Sequence, residues 1–165
     1  MAAGADLGVK NCGYHAMSSL RVEKGYRHWG DDITDEETPV QAGLRFAVDF
    51  NKESFNGKEV LVAQKANGVS KRLVQFLLED ENYLLYHNEP IWRNDEMVGY
   101  ITSGMFAYTF NGAIGMGYVS HPDGEVVNAA YIREGQFEIE IAGDRVKAKA
   151  QLRPFYDPKS ERTKM

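Results

Sequence analysis

"QFEIEIAGDRVKAKAQL" (residues 136–152) sets Phe137, Ile139 and Ile141 against Glu138 and Glu140, turns at Gly143-Asp144, and returns through Val146, Ala148, Ala150 and Leu152. A period of two belongs to strands with one buried face, and a glycine-containing reversal between two such runs makes a hairpin. Upstream, "GAIGMGYVS" (112–120) reads as a short strand. "PIWRNDEMVGYITSG" (90–104) reads as a second hairpin, turning at Asn94-Asp95 with a bulge at Gly99. "RLVQFLLE" (72–79) is nearly all apolar, as in a strand buried on both faces. Before these strands, "GKEVLVAQKANG" (57–68) suits a helix closed by Gly68, and "HAMSSLRVEKG" (15–25) one closed by Gly25. The expected fold is α+β and mainly β: a short helical N-terminal region, a helix, then a compact antiparallel β-barrel.

Composition narrows the function. The chain has 165 residues, 43% of them hydrophobic, enough for one core. Its net charge of -5 argues against a general nucleic-acid surface, which needs clustered positive charge. No run approaches the roughly 18 apolar residues of a membrane span. "MAAGADLGVKNCG" (1–13) lacks the basic and apolar regions of a secretory signal. Cys12 is the single cysteine, which rules out an internal disulfide and fits a reducing compartment. We therefore expect a cytoplasmic protein. The histidines at 15, 28, 87 and 121 are too scattered for a metal set.

Three apparent motifs dissolve on inspection. "GAIGMG" (112–117) has its glycines in the wrong order for a nucleotide fingerprint and no crossover helix after it; they suit close backbone packing in a strand. "DDITDEE" (31–37) lacks the glycine and closing glutamate of a calcium loop and reads as a solvated acidic turn. Ser18, Ser19 and Ser103 have no nucleophile elbow around them. No catalytic residue is assigned.

"SSLRVEKGYRHWGDD" (18–32) is denser in chemistry. Two positions apart on a helix, Arg21 and Glu23 face apart, so Glu23 is free to reach Arg27 or to cap the next turn. Arg21 is then either a surface residue or a cationic anchor. Tyr26 and Trp29, beside the reversal at Gly30, suit equally a core and a stacking wall for a flat heteroaromatic ligand with a carboxylate tail.

"SLRVEKGYRHWGDDITDEETPVQAGLRFAVDF" (19–50) resembles the S-L-R-x-E-x-G, aromatic-G-x-D-I and T-P-x-E-A-G-L segments of the aminomethyltransferase (glycine cleavage T-protein) family. "FNGKEVLVAQKANG" (55–68), "VGYITSGMFAYTFNGAIGMGYV" (98–119) and "RPFYDPKSERTKM" (153–165) resemble its later segments, in order. The version with "EKGYRHWG" is most similar to the folate-binding half of dimethylglycine and sarcosine dehydrogenases. The resemblance implies residues 1–52 as the terminal segment of the folate-binding domain and 53–165 as the C-terminal barrel with its preceding helix. It implies tetrahydrofolate as cofactor, with Arg21, Trp29 and Arg162 as the residues that meet it. Trp29 stands where the T-proteins commonly carry tyrosine, which keeps a stacking face but gives up a phenolic hydrogen bond.

The family's catalytic aspartate and the pterin-holding G-Y-T-G-E stretch belong to an earlier segment than any matched here. The expectation is therefore a C-terminal fragment of a tetrahydrofolate-dependent aminomethyltransferase or of a dimethylglycine or sarcosine dehydrogenase. Such a fragment would supply part of the folate site and be inactive alone, with FAD only in an upstream domain. The alternative is a non-catalytic module that docks onto a flavin dehydrogenase partner or self-associates. A third family of this architecture, the folate-binding proteins of iron–sulphur assembly, carries a K-G-C-Y-x-G stretch; Tyr26 stands in place of that cysteine.

Overall fold

The computed structural model describes residues 2–162 and residue 164. Six strands close into an antiparallel barrel. They are β1 (Lys71–Leu78), β2 (Pro90–Arg93), β3 (Glu96–Ala107), β4 (Gly112–Ser120), β5 (Phe137–Ile141) and β6 (Asp144–Gln151), arranged β1-β4-β3-β2-β5-β6 around the wall. Helices α1 (Tyr14–Glu23) and α2 (Lys58–Asn67) precede the barrel, and the short α3 (Ala129–Glu134) lies between β4 and β5. Short 3-10 helices occupy Ala2–Leu7 and Arg45–Ala47.

Turn chemistry sets the register. Asn94 and Asp95 both take positive φ, as a tight hairpin between right-twisted strands requires. The last hairpin turns on Ala142 and Gly143, one residue earlier than the Gly143-Asp144 expected, because Asp144 already pairs with Ile141 as the first residue of β6. Two register shifts interrupt β3. One leaves Val98 as the extra residue beside Gly99, and the other leaves Thr102 extra between Ile101 and Ser103. A bulge re-aims the side chain it carries, and Thr102 is used that way.

The barrel interior holds Val74, Phe76, Leu78, Ile91, Ile101, Ile139 and Val146, with Ile132 of α3 closing it. Odd-numbered residues of β1 face outward: Leu73 packs with Ile114, Met116 and Val22 of α1. β1 is thus buried on both faces along its middle, covered inside by the barrel and outside by the helix. On β4 the glycines work as anticipated. A methyl group at Gly117 would collide with the Tyr100 carbonyl and with Ile91.

α1 ends in a Schellman cap. The Gly25 N–H donates to the Val22 carbonyl at 2.9 Å and the Tyr26 N–H to that of Arg21 at 2.8 Å, with Gly25 left-handed at φ 68. α2 is capped by Gly57, left-handed at φ 82, and by Gly68, which takes positive φ but an extended ψ of -174 rather than the left-handed cap expected, and it buries only Leu61. Among the described residues no helix is long and apolar enough to cross a membrane.

Candidate functional site

Arg21 projects from the last turn of α1 towards β3. Its Nη1 donates to Asp32 Oδ2 at 2.5 Å and its Nη2 to Ser103 Oγ at 2.9 Å. Asp32 is fully buried. Its carboxylate also accepts the His28 N–H at 2.9 Å and the Thr102 hydroxyl at 2.6 Å, and its carbonyl accepts the Tyr118 phenol at 2.9 Å. In the acidic segment 31–37, Asp31, Asp35 and Glu36 are exposed as a solvated turn requires, but Asp32 is not. Asp32 tolerates burial because a guanidinium faces it and donors surround its oxygens. Glu37 is likewise engaged, by Lys71 Nζ at 2.9 Å and by Thr34.

The surrounding charges follow from these contacts. Burial pushes the Tyr118 phenol strongly upward, with Glu37 adding to it, so the group stays protonated and donates. Burial lowers the Arg27 guanidinium, which donates to the Ala42 and Gly25 carbonyls. Burial alone would raise Glu37; the Lys71 and Thr34 hydrogen bonds outweigh it and hold the carboxyl below its usual range.

α1 is tied to the barrel at two further points. Glu23 is buried and accepts the Thr109 N–H at 3.2 Å, rather than reaching Arg27 or capping the following turn. Lys24, also buried, meets the carbonyl of Asp157 at 2.5 Å and its carboxylate at 3.2 Å. The C-terminal tail is thereby strapped to the helix.

Arg21 lines a cavity of about 480 Å³ between α1, the 86–88 loop and β3. Tyr14, His15, Tyr86, Tyr100 and Ser103 share that lining. Trp29 does not. Its ring is 68% exposed, on a loop held by a bridge to Ile33, and Tyr26 is 54% exposed. Core packing of these two rings, one of the two readings open from sequence, is thus ruled out. Arg162 lies on the exposed tail, with its guanidinium 5.9 Å from the Tyr156 ring centre. Of the three anticipated residues, only Arg21 faces this cavity, Trp29 flanks it from the neighbouring loop, and Arg162 is elsewhere. Sequence reading gave no site role to Asp32, Thr102 or Ser103, although the G-x-D-I and T-S-G stretches contain them. Among the described residues no group of three or more metal-ligating side chains is assembled.

Residues 71–157 match the model of the glycine cleavage T-protein C-terminal barrel domain, and residues 1–52 that of the GCVT N-terminal domain. The chain belongs to the glycine cleavage T-protein family. Among members of this family, human mitochondrial sarcosine dehydrogenase is 38% identical over 99% of this chain and 18% of its own length. The mitochondrial pyruvate dehydrogenase phosphatase regulatory subunit of Mus musculus is 40% identical over 93% of this chain and 19% of its own. The crystal structure of glycine cleavage system aminomethyltransferase T from Bartonella henselae superposes with a TM-score of 0.77 at 25% identity, covering 94% of this chain and 42% of that one. The chain spans less than a fifth of the first two proteins and about two fifths of the third. Three stretches meet around this ion pair: S-L-R supplies Arg21, G-D-D-I supplies Asp32, and T-S-G supplies Thr102 to Asp32 and Ser103 to Arg21.

Proposed function

We propose that this chain forms one wall of a tetrahydrofolate site for one-carbon transfer, as part of an aminomethyltransferase or of a sarcosine or dimethylglycine dehydrogenase. Residues 1–52 act as the end of the folate-binding domain and 53–165 as the barrel that braces it. The observation that carries this reading is Arg21: a guanidinium fixed by Asp32 and Ser103 on the wall of a cavity rimmed by tyrosines. Because Asp32 already neutralises much of its charge, Arg21 serves as an oriented hydrogen-bond donor more than as a free cation. Trp29 presents an uncovered ring face for the heteroaromatic part of the ligand. Arg162, beside Tyr156 on the strapped tail and away from this cavity, is given no part in the wall. The catalytic group and any flavin belong to other segments of such an enzyme. The unpaired thiol of Cys12 suits the reducing interior of cytoplasm or mitochondrial matrix.

Two tryptophans allow a clean test. Trp92 donates to Glu140 and stacks on Arg145, on the barrel wall. In a Trp92→Phe chain the remaining fluorescence reports Trp29. Tetrahydrofolate should quench it saturably, and Arg21→Met should weaken that quenching; a linear, unsaturable response would contradict the reading. The alternative, a non-catalytic docking module, draws support from the likeness to a phosphatase regulatory subunit. Residues Tyr14, Met17 and Leu20 form an uncovered apolar stripe on α1, consistent with docking or self-association.

A further inference from the structure

At the end of the barrel opposite in chain direction to the β1–β6 pairing, the wall opens. β6 pairs with β1 only from Gln75 onward, so Arg72 at the start of β1 has no β6 neighbour and the chain leaving β6 diverges from it. The resulting groove has a volume of about 790 Å³ and runs between α3, β6 and Gly43. Its floor is apolar, with Ile132, Phe137 and Leu152 among its residues. Its charged residues are Arg72, Arg133, Lys149 and Arg153, and no carboxylate joins them. Arg45 stands close enough to lower the Arg72 guanidinium further, after burial has already done so.

In a chain of net charge -5, four cations gathered without a counter-charge are unusual. Among the described residues none of the four takes part in an ion pair, and Arg72 Nε is buried with no hydrogen-bond partner. The carboxylates Glu79, Asp95 and Glu138 line a neighbouring groove that shares Gly135, Phe137 and Ala148 with this one, and none of them pairs with the four cations. Like charges held together cost free energy, and a buried donor left unpaired adds to that cost. A bound anion relieves both. The apolar floor strengthens the effect, since charge interactions grow where water is excluded.

We propose that this groove is a binding site for a small polyanion carrying two or more phosphate or carboxylate groups, separate from the cavity at Arg21. Guanidinium groups offer forked pairs of donors that match either oxyanion, and Arg72, Arg133 and Arg153 present three of them. Lys149, paired in register with the outward-facing Leu77, adds its charge from the other face of β6.

The test is calorimetric titration of the 165-residue chain with inorganic pyrophosphate and, separately, with propane-1,2,3-tricarboxylate, at low and at high sodium chloride. One-to-one binding by at least one anion, weakened by salt, is expected, and the better of the two identifies the oxyanion class. The double variant Arg133→Gln/Arg153→Gln should bind roughly tenfold more weakly or worse. Lys159→Gln, on the tail, should bind like the parent. Without anion, the double variant should melt no lower than the parent, because it loses only mutually repelling groups. Failure of both anions to bind at low salt, equal binding by the double variant, or a lowered melting temperature would each overturn the proposal.

Discussion

Asp32→Ala removes the acceptor on which three segments converge. In the parent, one carboxylate serves Arg21, the His28 N–H and the Thr102 hydroxyl. Thr102 is rescued in the variant, since its hydroxyl also lies 3.1 Å from the Met116 carbonyl. Arg21 is only poorly rescued: its side chain is 16% exposed, and it keeps Ser103 and the half-exposed Asp31 carboxylate at 4.0 Å. Removing one partner of a buried ion pair costs about 3–5 kcal/mol. The limited water access of Arg21 places the loss near the lower end, about 3 kcal/mol, which for a domain of this size is a fall of about 6–12 °C in melting temperature. Urea unfolding followed by circular dichroism measures it, with the m value held constant as the check that only stability has changed. The double variant Arg21→Met/Asp32→Ala should lose less than Asp32→Ala alone, because no charge is then left unpaired. A single-variant loss below about 1 kcal/mol, or a double-variant loss equal to the sum of the two singles, would refute the view that the pair is a buried interlock.

Three other outcomes follow from the same contacts. Glu37 and Asp157 are both held below their usual carboxylate range; for Asp157, burial alone would act the other way, and the Glu161 N–H and Lys24 outweigh it. The unfolded chain therefore takes up these protons first, at about pH 4. Their contribution is intact above that pH and is lost as pH falls through the folded-state values. Glu37→Gln should flatten the acid limb of a urea-midpoint-against-pH curve; an unchanged limb would contradict it. Gly25→Ala must place a side chain at φ 68 and against Pro154, so a loss of about 1 kcal/mol or more is expected in the same unfolding assay. The stripe of Tyr14, Met17 and Leu20 should drive concentration-dependent self-association, seen by light scattering and reduced by Leu20→Glu.

Much of the barrel was legible because strand chemistry is local. Alternation in 137–152, the Asn94-Asp95 turn and the apolar run of β1 each record their own geometry. α3 was missed: six residues with one buried side chain, Ile132, carry too little periodicity to notice. The site was only partly legible. Arg21 stood out, but nothing near Asp32 in the chain announces that it is buried: the one local partner is the His28 N–H, and its side-chain partners lie 11 and 70 residues away. The bulge that turns Thr102 towards it depends on the pairing of β3 with β4, which no short window reveals. The exposure of Tyr26 and Trp29 could not be read from residue type, because rings beside a reversal serve cores and surfaces equally well.

The most direct measurement is a tetrahydrofolate titration of isotopically labelled chain followed by amide NMR. The account predicts shifts concentrated at Ser18, Arg21, Trp29, Tyr100 and Ser103, saturating together and diminished in Arg21→Met. Shifts confined to other surfaces, or none at the highest soluble folate concentration, would contradict it.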